Sequence, residues 1–240
     1  MFERRTLVAV PIKQPTLQKR EKEKLILQQE AKDIANRIWE SSQIASNHPY
    51  IERKRIKPCG IRANKENLVI PLYNESGEIC SLQFIDHEGN KKFLSNGQVK
   101  DCYFRIGKPN GNVCIAEGFA TAATINEATG YAVIVAFNAG KLEACAKFVR
   151  ARMPKSNIII CADFDNVGIE KATSAAESVN GVMIYPDFGD NKPDGATDFN
   201  DLFILHGIDA VRGAIIKDQK INSILDSDVK YSSVDILQYV

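Results

Sequence analysis

Acidic residues follow apolar runs at three places in the second half of the chain. Glu117 follows the run VCIA, and Asp163 and Asp165 follow the run NIIICA. Carboxylates that converge repel one another, and a divalent cation among them relieves that repulsion. Mg²⁺ and Mn²⁺ prefer such oxygen ligands, and Mg²⁺ keeps positions open for water and substrate phosphates. The third place is the loop GDNKPDGATDFNDL, with Asp198 and Asp201.

Each of these features also has a simpler explanation. A Glu-Gly pair after a strand is commonly only a turn, a DxD after a strand commonly caps the next helix, and an Asp-rich loop can simply be solvated. The occurrence of all three features, in this order and at the ends of predicted strands, favours a metal site. In such a site the ions orient and neutralise phosphates during in-line transfer, while a nearby Glu can act as general acid or base.

The second half of the chain has the pattern of a parallel sheet. Near-continuous apolar runs alternate with helix-like stretches, as in α/β folds whose sheets are covered on both faces. Such sheets place ligands at the C-terminal ends of their strands, which brings the acidic residues to one edge. The predicted strands are 113–116, 131–137, 157–162 and 181–186, and the predicted helices are 119–129, 141–152 and 168–179.

The first half has a different pattern. Residues 15–46 have apolar positions at mostly helical spacing, and 49–65 are basic and broken by Pro and Gly. Short extended runs separated by turn residues follow, which predicts an antiparallel meander. We therefore expect four regions: a helical leader (1–45), a small basic mixed α+β lobe (46–110), an α/β catalytic domain (111–216) and a tail or linker (217–240).

Charge and composition narrow the class of protein. Residues 1–110 carry a net charge of +7 and residues 111–240 a net charge of −6, which suits one lobe that grips an anion and another that binds cations. The six cysteines form no CxxC pair, so we expect reduced thiols, several of them buried, rather than a structural zinc site. No apolar run approaches the roughly 18 residues of a membrane span, and the N-terminus lacks signal-peptide features, so a cytoplasmic protein is expected.

Basic residues are candidates for contacts with DNA or nucleotides, because Lys and Arg release counterions when they bind phosphates. A solvated charged face is the alternative for the basic segment, and a plain helix start is the alternative for Lys141. Phe84 and Phe93 are expected to pack in the core rather than stack on bases. The candidates are Arg53, Lys54, Arg55, Lys57, Arg62, Lys91, Lys92 and Lys141.

The motifs EGFATA, CADFDNVG and DFNDL together resemble the Toprim domain shared by primases, topoisomerases and some nucleases. Glu117, Asp163 and Asp165 match its hallmark Glu and DxD. Asp198 and Asp201 lie where primase-type members carry a further acidic residue or pair, with a looser match.

The resemblance continues upstream, so that it covers about residues 45–215. The segments ENLVIPLYNESGEICSLQFIDHEGNKKFLSNG and CYFRIG resemble the small basic lobe before Toprim in DnaG-type primases. The segments HPYIERKRI, GNKKFL and VAFNAGKL are more similar to the TraC-like primases of plasmids and phages.

The resemblance implies a primase that makes short primers from nucleoside triphosphates on single-stranded DNA of a mobile element. Asp163 and Asp165 would hold Mg²⁺ or Mn²⁺ with help from Asp198 and Asp201, and Glu117 would complete the metal site or transfer a proton. Such primases usually have a zinc-binding module and many carry a helicase. Neither signature occurs here, so both are expected on another chain or a missing segment.

Three other functions remain open. A Toprim nuclease would use the same metal site with water as nucleophile. A haloacid-dehalogenase-type phosphatase would use Asp163 as nucleophile, but its DxD belongs on the first strand and here it follows the third. A catalytically idle DNA-binding or replication-initiation module would not need all three acidic positions.

Overall fold

Two five-stranded sheets form the framework of residues 17–216, the part of the chain that this computed structural model describes, apart from the side chain of Asn191. The first sheet is antiparallel throughout and has the strand order β1-β2-β3-β4-β5. We call residues 42–101, which contain it, the basic lobe. Its strands are β1 (Gln43–Ile44), β2 (Arg62–Asn64), β3 (Asn67–Tyr73), β4 (Ile79–Ile85) and β5 (Lys91–Phe93).

The second sheet has the order β10-β9-β7-β8-β6. Three of its four strand pairings are parallel, and at one edge β6 lies antiparallel to β8. We call residues 102–216, which contain it, the acidic lobe. Its strands are β6 (Phe104–Ile106), β7 (Asn112–Ala116), β8 (Ala132–Val135), β9 (Asn157–Cys161) and β10 (Val182–Ile184).

Helices cover both faces of the second sheet, because its strands are apolar on both sides. Along β7, Cys114 and Ala116 pack with one set of helices, whereas Val113 and Ile115 pack with the other. The first set is α3 (Phe119–Thr129), α6 (Phe199–His206) and α7 (Ile208–Ile216), and the second is α4 (Leu142–Arg152) and α5 (Asn166–Ser178).

Two further helices belong to the N-terminal part. The helix α1 (Leu17–Ser41) packs on the basic lobe only through its C-terminal half, where Ala35 joins Val69 and Leu82 in a small core. The short helix α2 (Pro49–Lys54) begins at His48, whose side chain accepts a hydrogen bond from the backbone of Tyr50.

A pair of tyrosines joins the two sheets through backbone atoms. The N–H of Tyr73, at the end of β3, donates to the carbonyl of Tyr103 at 2.9 Å, and the N–H of Tyr103 donates back at 3.0 Å. The polypeptide therefore passes from one sheet to the other with a hydrogen-bonded bridge beside it.

The α/β fold predicted from the sequence is confirmed. The segments NLVIPLY and ICSLQFI form β3 and β4 with the expected bounds, and the helix predicted over 119–129 is α3. The strand β6 already belongs to the second sheet, so the change of sheet lies several residues before the expected boundary at 110. The predicted tail at 217–240 lies outside the described residues.

All six cysteines are free, and five of them are buried, as the sequence predicted for several of them. Between residues 17 and 216, no helix is long and apolar enough to cross a membrane.

The buried side chain of Asn200 connects the lobes. Its Nδ2 donates to the backbone carbonyl of Lys54, in α2, at 2.8 Å and to the hydroxyl of Thr124, in α3, at 2.9 Å. Removing a buried donor leaves its acceptors unsatisfied, which costs more than the hydrogen bond itself contributes.

We therefore expect Asn200→Ala to lower the free energy of unfolding by about 1–3 kcal/mol in urea denaturation. Asn138→Ala is the control, because Asn138 is exposed and its side chain makes no capping hydrogen bond. Equal denaturation midpoints for the two variants would contradict a structural role for Asn200.

Candidate active site

The carboxylates at the ends of β7 and β9 are fixed by backbone pairing that continues past the strands. The N–H of Phe137 donates to the carbonyl of Glu117 at 2.8 Å, and the N–H of Ala162 donates to that of Ile184 at 2.8 Å. Both acidic segments thus leave the sheet from the same edge.

The DxD turn depends on a glycine. The carboxylate of Asp165 accepts a hydrogen bond from the N–H of Gly168 at 2.7 Å and caps the start of α5. A Cβ on Gly168 would lie 2.6 Å from the carbonyl oxygen of Asp163, which is closer than real contacts allow. The start of α5 therefore lies closer to the DxD turn than a residue with a Cβ would allow.

Asp163 lies at the centre of the acidic group. Its Oδ1 is buried and has no hydrogen-bond partner. Burial raises the pKa of its carboxyl to about 7, and the charges of Glu117, Asp198 and Asp165 add to the rise, while Lys91 opposes it. The structure therefore brings together four of the five predicted acidic residues.

Burial and the charge of Asp165 also raise the pKa of Glu117, whereas a backbone hydrogen bond from Ala139 and the charge of Lys91 lower it. The ammonium of Lys91 would lie 3.7 Å from a Cβ placed on Gly118, directly beside Glu117. A cation from the basic lobe thus reaches the acidic edge of the other sheet.

The third acidic group forms a capping box at the start of α6. The Oδ1 of Asp198 accepts from the backbone N–H of Asp201 at 2.9 Å, and the Oδ2 of Asp201 accepts from the N–H groups of Thr197 and Asp198 at 3.0 and 3.3 Å. The other oxygen of Asp201 accepts from Lys54 at 3.3 Å. Of these two aspartates, Asp198 acts electrostatically on Asp163, whereas Asp201 is occupied by the cap and the ion pair.

The residues fit a divalent ion, although no ready-made ligand shell is present. No group of three or more His, Cys, Asp and Glu side chains in residues 17–216 is arranged to hold an ion as it stands. Mg²⁺ is usually bound by one or two carboxylates, with water and phosphates as the other ligands. The orphaned oxygen of Asp163, surrounded by repelling carboxylates, is a position that such an ion would satisfy.

Residues 112–209 match the family model for the Toprim domain. This part of the chain is a Toprim domain. Two curated Escherichia coli proteins, both named DNA primase TraC, are each 31% identical to the chain over 175 residues. The match covers 66% and 64% of this chain but only 12% and 16% of those proteins.

Solved structures of primases resemble the chain as well. The DnaG primase catalytic domain bound to ssDNA is similar over 85% of this chain and 79% of that chain, at 11% identity and a TM-score of 0.49. The predicted resemblance to Toprim primases of the TraC kind is confirmed by the family match and the curated relatives.

Much of the basic segment before the Toprim domain has partners within the protein. The guanidinium of Arg53 donates to the carbonyls of His87 at 3.2 Å and Glu88 at 3.0 Å and lies 5.9 Å from the ring of Tyr50. These contacts hold the turn between β4 and β5. Because Lys91 begins β5, Arg53 positions the cation that faces the Toprim carboxylates.

Two other basic candidates are also engaged. Lys57 pairs with Glu127 of α3 at 2.9 Å, and Arg62 lies 4.4 Å from the ring of Trp39 and donates to its carbonyl. Arg55 is the exposed, left-handed C-cap of α2. The segment therefore joins elements together as well as presenting positive charge.

The two hairpin lysines lie on opposite faces of β5, because side chains alternate along a strand. Lys91 acts on the Toprim carboxylates, and Phe93, on the same face, contacts Phe137 edge to face at 5.9 Å. Lys92 is exposed and belongs to the other face. Of the two phenylalanines expected to pack in the core, Phe84 is partly buried against the small core under α1, whereas Phe93 is exposed.

Lys141 turns toward the junction between the lobes. Its ammonium donates to the carbonyl of Cys102 at 3.2 Å and lies 5.5 Å from the ring of Phe137. Burial lowers the pKa of Lys141. In the same turn, the backbone N–H of Ala139 donates a hydrogen bond to Glu117.

Tyr50 is a site neighbour that the sequence analysis did not select. It is buried, and burial together with the charge of Asp198 raises the pKa of its phenol to about 12. Its place beside the basic run in HPYIERKRI gave no indication that the charge of Asp198 would act on it.

The raised pKa of Asp163 predicts how stability depends on pH. Between about pH 4 and pH 7 the folded protein keeps a proton that the unfolded chain has lost, so without divalent ions the free energy of unfolding falls as the pH rises. We expect Asp163→Asn to be more stable than the wild type at pH 8 in EDTA, by about 1–2 kcal/mol after allowance for partial solvent exposure. The difference should narrow toward pH 4.

Thermal denaturation with and without Mg²⁺ checks this expectation. Mg²⁺ should raise the melting temperature of the wild type at pH 8 but not that of Asp163→Asn. Asp33→Asn, on the exposed face of α1, is the control and should behave as the wild type. A melting temperature of Asp163→Asn below that of the wild type at pH 8 in EDTA would contradict electrostatic repulsion at Asp163.

Proposed function

We propose that this chain is the metal-dependent catalytic core of a DNA primase. It synthesises short primers from nucleoside triphosphates on single-stranded DNA during replication of a mobile element. The observation that carries the proposal is the position of Asp163, whose Oδ1 is buried without a hydrogen-bond partner while three carboxylates of the Toprim domain and a lysine of the basic lobe act on the carboxyl. The similarity to proteins named DNA primase TraC supports the same reaction class.

The proposed division of roles follows from the contacts. Asp163 and Asp165 hold Mg²⁺ or Mn²⁺, and Asp198, whose charge acts on Asp163, is a further ligand. When bound, the ion neutralises the triphosphate and aligns it for in-line transfer. Asp201, which the sequence placed among the ligands, acts by fixing Asp198 and anchoring Lys54.

Glu117 has one of two roles, and the substitution Glu117→Gln distinguishes them. It completes the ligand set, or it accepts the proton of the attacking 3′-hydroxyl, for which its raised pKa is suited. Loss of metal binding in Glu117→Gln would identify a ligand, and retained metal binding with lost synthesis would identify a proton acceptor.

The basic lobe supplies positive charge for the nucleic acid. Lys91 meets the triphosphate at the carboxylates, while Lys92 and Arg55, both exposed, contact the phosphates of the template strand. A helicase and a zinc-binding module, on another chain or another segment, load the template, and the reaction takes place in the cytoplasm.

Synthesis of labelled oligonucleotides on varied single-stranded templates tests the proposal, with Mg²⁺ or Mn²⁺ present and template integrity followed in the same tubes. We expect metal-dependent products of a few nucleotides from the wild type and a loss of about 100-fold or more in Asp163→Ala and Glu117→Gln. Template degradation without synthesis would replace the primase with a Toprim nuclease. DNA binding without either reaction would replace it with an idle DNA-binding module.

The neighbouring lysines of β5 provide a matched pair of variants. Lys91→Gln should lower kcat/KM for nucleotides by about 10- to 100-fold, because the variant removes the cation nearest the carboxylates. Lys92→Gln, on the opposite face, should leave that value nearly unchanged and weaken template binding in a salt-dependent way. Equal effects of the two substitutions in steady-state kinetics would contradict the assigned faces.

A further inference from the structure

An aromatic pair lies directly beside the Toprim carboxylates. Phe164, between Asp163 and Asp165, stacks on Tyr185 with ring centroids 5.0 Å apart and an interplanar angle of 7°. Tyr185 follows the end of β10 and is 44% exposed although Phe164 covers one face of its ring. The exposed area of Tyr185 therefore belongs to the edge of its ring and to the side away from Phe164.

A cation accompanies this pair. The ammonium of Lys192 lies 4.8 Å from the ring centroid of Phe164 and 5.9 Å from that of Phe188. Phe188 is 5% exposed and packs against Phe164 at 6.4 Å, so it serves the core. Tyr185, in contrast, keeps a large part of its side chain exposed.

The aromatic pair is fixed to the acidic edge. The N–H of Phe164 donates to the carbonyl of Thr197 at 2.7 Å, and Ile184, just before Tyr185, is paired in register with Cys161 of β9. The Cα atoms of Phe164 and each flanking aspartate are about 3.8 Å apart, as in any trans peptide. A ligand held at the carboxylates thus has the Tyr185 ring within the length of one nucleotide.

We propose that the exposed side of Tyr185, backed by Phe164, is the stacking surface for the base of the incoming nucleoside triphosphate. The identity of this ligand rests on the proposed function. Every base has a π face, so stacking on an aromatic ring holds all four nucleotides alike. The template base then selects among them by pairing.

The incoming nucleotide fits this surface better than the template strand does. A triphosphate is the ligand that the carboxylates and their ion would hold, and the platform is built from the residue between two of those carboxylates. The exposed lysine and arginine proposed for the template, in contrast, belong to the other lobe.

Fluorescence of 2-aminopurine riboside triphosphate, which is quenched when the base stacks, tests the platform with the full chain and Mg²⁺. We expect quenching with the wild type and Tyr185→Phe and little quenching with Tyr185→Leu. Leu205→Ala is the control, because Leu205 is also 44% exposed but lies on α6. Circular dichroism establishes that each variant is folded.

Steady-state kinetics and template binding give the second measurement. In Tyr185→Leu we expect the KM for all four nucleotides to rise by about five- to fiftyfold, with kcat and the affinity for single-stranded DNA unchanged. Unchanged quenching and KM in Tyr185→Leu would overturn the platform. Weaker DNA binding with unchanged nucleotide binding would also overturn it, in favour of a template contact.

The two proposals fail in different ways. If the wild type makes primers and Tyr185→Leu behaves identically, the platform is wrong and the primase stands. If the wild type makes no primers but quenches the probe only when residue 185 is aromatic, the nucleotide platform stands and primer synthesis is wrong. A wild type that does not quench the probe at all overturns the platform.

Discussion

Repulsion among carboxylates at one edge of a parallel sheet is the constraint on which the rest of the site depends. Asp163 has a buried oxygen without a partner and three acidic neighbours, an arrangement that unfolding would relieve. The surrounding structure holds it nevertheless. Backbone pairing fixes β7 and β9, the cap at Asp165 fixes the turn, and the close approach of α5 at Gly168 prevents the turn from relaxing outward.

The basic lobe supplies the complementary half of this arrangement. Its charge reaches Asp163 and Glu117 through Lys91, and that lysine follows the turn that Arg53 holds. Lys54 and Asn200 join the same helix, α2, to the start of α6. Positive residues that sequence analysis assigns to nucleic acid therefore also align the two lobes with each other.

The sequence was sufficient wherever the signal is local. The bounds of β3, β4 and α3 follow from alternation, helical spacing and turn residues, and the edge of the sheet follows from apolar strands that end in acidic residues. Contacts between distant segments could not be predicted in this way. The occupation of Asp201 depends on the docking of α2, and the antiparallel strand β6 has only three residues, too few to show a pairing partner.

The hydrogen-bonded bridge between Tyr73 and Tyr103 limits the relative motions of the lobes. Sliding or separating the sheets would break both hydrogen bonds and leave backbone groups unpaired. Rotation about the bridge keeps these two hydrogen bonds, but it would pull apart the core that contains residues of both lobes and the hydrogen bonds of Asn200. The bridge and this core therefore hold the lobes in one arrangement.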